Sequence, residues 1–185
     1  MQALDSSQDV EYTFFGDSSA IEGIKPADTR AVKRFREVSY RKWRQFFWQP
    51  SAINVAICEN WDAIIFLGNP NFVSTWFAAC AAQFRRTPVL FWEHGWRRKE
   101  RALKSAFRLN FFRLADRMLV YAPRAKQLGI AAGYPASRID VVWNSLDTQL
   151  ADQLIPQLEA GTLVSVQPTL FFSILVSHCL FVPHA

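Results

Sequence analysis

The residues best placed to do chemistry are the six of Phe91-Trp92-Glu93-His94-Gly95-Trp96. They follow Pro88-Val89-Leu90, an apolar run that reads as a buried strand, and they precede a strongly basic stretch that reads as a helix. A histidine at the carboxyl end of a parallel strand points into the crevice where open α/β sheets bind ligands. Gly95 lets the backbone turn there and lets a ligand come close. The plainer reading, a histidine simply satisfied in a loop, stands beside this one. Other chemistries lack their residues. No GxGxxG follows a strand, and there is no Walker A loop. No GxSxG or Cys-His pair marks a nucleophile, and metal ligands at structural spacing are missing.

The elements that must hold His94 alternate from residue 61 onward. Asp62 to Leu67 is a short apolar run that predicts a strand, ended by Gly68-Asn69-Pro70. Asn69 suits a helix N-cap and Pro70 the first turn. The helix is expected to run to Phe84, with Val73, Trp76, Phe77, Cys80 and Phe84 as its core-facing stripe. Thr87 to Glu93 is the next strand. Arg97 to Leu114 follows as a helix, with Leu103, Phe107, Phe111 and Leu114 apolar and Arg97, Arg101, Lys104 and Arg108 forming a basic stripe beside them. Met118 to Ala122 reads as a strand, Pro123 to Ala132 as a helix, and Ile139 to Trp143 as a strand that stops at Asn144. Such alternation means βαβ units and a parallel sheet. Right-handed crossovers bring Gly68, His94 and Asn144 to one edge of it. Before residue 61 the pattern is weaker. Val10 to Phe15 reads as a strand and Pro50 to Glu59 as a helix, while Phe35 to Trp48 is open to strand, short helix or both.

Charge is unevenly placed along the 185 residues, whose net charge is +5. Arg30 to Arg44 holds seven Lys/Arg against one Glu, and Arg85 to Arg117 holds ten against three acids. Two basic blocks on an otherwise acidic chain indicate either an anionic partner or a pair of solvated faces. Cys58, Cys80 and Cys179 have no CxxC spacing and fit buried free thiols in a reducing compartment. The first twenty residues are acidic and polar and do not read as a signal peptide. No run of 18 uncharged apolar residues is present; Leu170 to Val182 comes nearest and is interrupted by Ser177 and His178.

Trp61-Asp62-Ala63-Ile64-Ile65-Phe66-Leu67-Gly68-Asn69-Pro70, then Ser74-Thr75-Trp76, then Leu90 to Trp96 resemble the N-terminal domain of a family-four-type glycosyltransferase with the GT-B fold. Leu114-Ala115-Asp116-Arg117-Met118-Leu119-Val120-Tyr121 and Val141-Val142-Trp143-Asn144-Ser145-Leu146-Asp147 keep that family's order and spacing. The resemblance covers about residues 10 to 172. It implies an α/β, Rossmann-like parallel sheet with helices on both faces, one half of a GT-B fold. It also implies retaining transfer from a nucleotide-sugar donor to a glycan or lipid-linked acceptor, with no cofactor and no metal. His94 matches the family's cleft histidine beside the reacting sugar, and Gly95 the adjoining turn. Asn144 and Asp147 match the end of the last strand. Gly68, Asn69 and Trp96 are expected to contact substrate. The family's opening strand and glycine-rich loop are not recognisable before Val10. After Thr169-Leu170-Phe171-Phe172 the chain departs from the family altogether. Residues 1–168 are therefore expected to be the incomplete domain and 169–185 an aberrant tail, giving a chain inactive by itself.

Two readings compete with this one: a non-catalytic module that docks on an anionic membrane surface or a partner through Arg97, Arg101, Lys104 and Arg108, and, ranked well behind it, a nucleic-acid binder suggested by the pI near 9.4 and the Arg/Trp interleaving of Arg41 to Trp48. Nucleic acid is not an expected partner, because no nucleic-acid motif accompanies the basic residues. The expected location is cytoplasmic, peripheral on the inner face of the membrane.

Overall fold

The computed structural model describes residues 9–17, 32–96, 102–143 and 179–183. The strands among them are β1 (Thr13–Gly16), β2 (Phe35–Glu37), β3 (Arg41–Trp43), β4 (Phe46–Trp48), β5 (Trp61–Leu67), β6 (Val89–Glu93), β7 (Arg117–Val120), β8 (Ile139–Val141) and β9 (Cys179–Pro183). The helices are α1 (Pro50–Cys58), α2 (Val73–Phe84), α3 (Ala102–Phe112) and α4 (Pro123–Ala131). Seven strands make one sheet in the order β2-β1-β9-β5-β6-β7-β8, and β3-β4 is a separate hairpin. β1 and β2 are parallel, as are β5 to β8. β9 lies antiparallel between β1 and β5, so the other six strands all point one way. The segment that the sequence set apart as a tail thus supplies a central strand.

Side chains alternate across a strand. Ile64 and Phe66, Val89 and Phe91, Met118 and Val120, and Ile139 all face one core, which also takes Ala52, Val55 and Ala56 of α1, the alanines of α2, Phe111 and Phe112 of α3, and Ala125 of α4. Phe14, Ile65 and Trp92 face the other way, against Val32 and Phe35. Among the described residues, all four helices therefore lie on one face of an α/β, Rossmann-like sheet.

α2 corrects the expected stripe. Its buried residues are Ser74, Thr75, Ala78, Ala79 and Ala82, while Phe77, Cys80 and Phe84 are exposed, Phe84 by 91%. Small side chains let the helix axis approach the sheet and α1 closely. The space is then filled by Phe66, Phe91 and Phe111, whose rings meet at 6.4 Å and 4.6 Å. α3 differs from expectation in the same sense. Phe111 and Phe112 are buried, but Leu103 is 88% exposed and Phe107 is exposed as well. Cys58 and Cys80 are free but exposed, not buried as expected.

The far end of the sheet is locked by Tyr134. Gly133, at φ 90, ends α4, and the Tyr134 amide donates back to the Gly129 carbonyl at 3.0 Å. The Tyr134 hydroxyl donates to the Ala115 carbonyl at 3.1 Å. Its ring lies 5.6 Å from that of Trp96, which presses so close to α4 that a Cβ on Gly129 would stand 2.4 Å from it. Burial pushes the Tyr134 phenol up from 10.0 to about 12, against a downward pull from the Arg138 charge and with a smaller upward push from Asp116.

Two expectations follow. Ala79→Leu should destabilise the fold by about 1–3 kcal/mol through overpacking, while Phe84→Ser should change it by less than about 0.5 kcal/mol; urea titration measures both. A phenol whose folded value is raised leaves stability intact below its unfolded value and loses it as pH rises. Thermal midpoints should therefore hold up to pH 10 and fall toward about 12, and Tyr134→Phe should flatten part of that fall.

Candidate functional site

Parallel strands deliver their carboxyl ends to one edge, and the polar groups gather there. The Gly68 amide donates to the Trp92 carbonyl at 3.1 Å, which keeps β5 and β6 paired to their tips. A Cβ on Gly68 would lie 2.8 Å from the Cβ of Glu93 and 3.2 Å from that of Phe91, so only glycine lets Glu93 sit over this strand end. Asn69 is not the N-cap of α2. Its Oδ1 accepts from the Asn71 amide at 3.0 Å in a turn, and the N-cap position is Phe72. Phe72 is held back from the helix because it bridges to Phe47 of the hairpin, the two rings stacking at 4.6 Å. The Trp76 indole donates to the Pro70 carbonyl at 3.0 Å and fixes the same loop.

β6 and β7 pair with Glu93 opposite Val120, so the next residues, His94 and Tyr121, leave the sheet side by side. Their rings meet edge-on at 4.9 Å, and Trp92 lies 6.1 Å from Tyr121. Glu93, His94 and Tyr121 are each half-buried. Burial, and then the Glu93 charge, holds the Tyr121 phenol well above its ordinary range. Tyr121 therefore stays neutral and able to donate at any physiological pH. Gly95 takes φ +68, and a Cβ on it would come within 2.9 Å of Val120 Cγ1. At the end of β1, Asp17 accepts from the Tyr40 amide at 3.4 Å, and burial together with the Asp17 charge raises the Tyr40 phenol.

Gly68, Asn69, His94 and Gly95 therefore come together at one edge. β8 ends there too, the Val142 amide donating to the Val120 carbonyl at 2.9 Å and Trp143 turning at φ 55. Trp96, expected to contact substrate, instead turns into the core, 5% exposed, its ring 4.8 Å from that of Phe112. Asn144, Asp147, Arg97 and Arg101 lie outside the described residues. Lys104 is exposed; Arg108 is half-buried with its guanidinium 5.9 Å above the Phe112 ring. The sequence reading missed Glu93, Tyr121 and Asp17 as members of the edge. Strand register was the available signal, since whatever follows Val120 must stand beside whatever follows Glu93.

A neutral phenol donor, an imidazole and two carboxylates suit a ligand rich in hydroxyls, which donates to the acids and accepts from the phenol. Among the described residues, no group of three His, Cys, Asp or Glu is placed to hold a metal ion.

An α/β sheet with a polar crevice at its carboxyl edge defines the class, and comparison with known families defines the lineage. The model of Glycosyltransferase Family 4 matches residues 3–150, and the chain belongs to that family. Comparison with curated proteins and with solved structures gives no match.

Gly95→Ala should test how tightly the crevice is built. It places a Cβ at positive φ against Val120, and it should cost about 1–3 kcal/mol in urea unfolding.

Proposed function

We propose that the crevice holds the acceptor, a glycan or lipid-linked sugar, for transfer of a sugar from a nucleotide-sugar donor. The cluster of Glu93, His94 and Tyr121 beside Gly68 carries this reading, because a carboxylate, an imidazole and a neutral phenol at one strand edge can accept from and donate to the hydroxyls of a sugar. In this reading His94 lies against the reacting sugar, and Gly95 sets its position. We assign acceptor binding to Asn144 and Asp147 as well, from their match to the family's sequence pattern. The transfer retains anomeric configuration and uses no metal. Departing diphosphate needs preorganised positive charge, which we assign to a donor-binding domain completing a GT-B pair. In this reading the crevice holds the acceptor on the cytoplasmic side of a membrane, and turnover needs the donor-binding half as well.

Joined to such a donor domain, the protein should transfer sugar, and His94→Ala should lower kcat by about a hundredfold or more with little change in acceptor KM. Product formation from labelled nucleotide sugars measures this. Transfer by the isolated chain, or unchanged kcat in the variant, would count against the assignment.

A further inference from the structure

The β3-β4 hairpin presents one face to solvent and the other to the crevice loop. Its register pairs Arg41 with Trp48, Lys42 with Phe47 and Trp43 with Phe46. Alternation puts Arg41, Trp43, Phe46 and Trp48 on one side and Lys42 and Phe47 on the other. The inner side is fastened: Phe47 stacks on Phe72, and its amide donates to the Asn71 carbonyl at 2.9 Å. The Gln49 amide then donates to Ser74 Oγ at 3.0 Å, tying the end of the hairpin to α2. The outer side is bare, with Trp43 72% exposed and Phe46 and Trp48 exposed as well. Trp48 meets the exposed Phe77 of α2 edge-on at 6.0 Å, which carries the aromatic surface onto the helix.

The charge on this surface has one sign. Residues 41–48 hold Arg41, Lys42 and Arg44 and no acid, and α2 holds no acid either. None of these three bases makes an ion pair among the described residues; Arg44 and Lys42 instead lie over the rings of Trp43 and Phe47. An apolar patch of tryptophan and phenylalanine bordered by Arg41 and by Arg44, whose guanidinium lies over the Trp43 ring, matches a water–lipid boundary with anionic headgroups. We infer that the outer face of the β3-β4 hairpin, with Phe77, docks the protein on an anionic lipid surface. Docking there sets the loop of Gly68 to Phe72, and with it the rim of the crevice, at the membrane. The inference rests on the acceptor reading only for what the crevice would find at that surface; the docking itself needs no sugar.

The test is sedimentation with vesicles free of any glycolipid, made of phosphatidylcholine alone or with phosphatidylglycerol. The chain should bind the anionic vesicles at least tenfold more tightly, and less as salt is raised. Each basic residue at such a surface is worth roughly fivefold, so Arg41→Gln with Arg44→Asn should weaken binding by about twenty-fivefold. Trp43→Ala with Trp48→Ala should weaken it about tenfold or more, and Lys104→Gln with Arg108→Gln by less than about twofold. Circular dichroism establishes that each variant is folded. Equal binding to both vesicle types, wild-type binding by the tryptophan variant, or a loss as large from the α3 variant would overturn the inference. So would retention on a glycan column that depends on Trp43 while vesicle binding does not. None of these outcomes bears on sugar transfer, which the donor assay reads separately.

Discussion

Everything described here hangs on how closely α2 approaches the sheet. Ala78, Ala79 and Ala82 are fully buried against strands whose large side chains already fill the core. A helix with leucines at those places would stand off and open voids or strain. Because α2 sits low, the turn that feeds it is pulled onto the strand tips. Phe72 then lies where Phe47 can stack on it, and Ser74 where it can accept from Gln49. The position of the crevice loop and the hairpin thus follows from three buried alanines.

The crevice itself is a product of register. β5, β6 and β7 end in step, so Gly68, His94 and Tyr121 emerge together without any loop having to carry them in. The close approaches at Gly68 and Gly95 tighten the same edge, one under Glu93 and one against Val120. Carboxylate, imidazole and phenol end up within a half-buried corner. Burial, and after it the Glu93 charge, holds the Tyr121 phenol protonated, so the corner keeps a hydrogen-bond donor.

Much of this was legible in the sequence, and the exceptions have physical causes. Strands at residues 61–67 and 89–93 and helices starting at Pro50 and Pro123 follow from apolar runs and proline positions. The edge shared by Gly68 and His94 follows from crossover handedness. The face of α2 was misread because two stripes were available. Phe77, Cys80 and Phe84 repeat at helical spacing as well as Ala78 and Ala82 do, and size was taken for burial. On a helix that must lie close, small residues go inward and the bulky ones are left outside. Trp96 was misread for a related reason: a tryptophan after a site histidine looked like a contact, but Gly129 leaves a slot that only a core ring fills. The hairpin at residues 41–48 defied periodicity because strands of three residues are too short to display one.

The antiparallel β9 has a consequence for how the chain is made. Its register sets residue 181 against residue 13 on one side and residue 64 on the other. During synthesis, β1 and β2 have no ladder joining them to β5 until that last segment emerges, more than a hundred residues after Ile64. At ribosomal speeds the wait is on the order of ten seconds. Closing so long a loop adds little entropy cost beyond closing a short one; the burden is exposure, since two inner edges stand open to neighbouring nascent chains meanwhile. A sheet assembled in this order keeps those two edges open until β9 is in place.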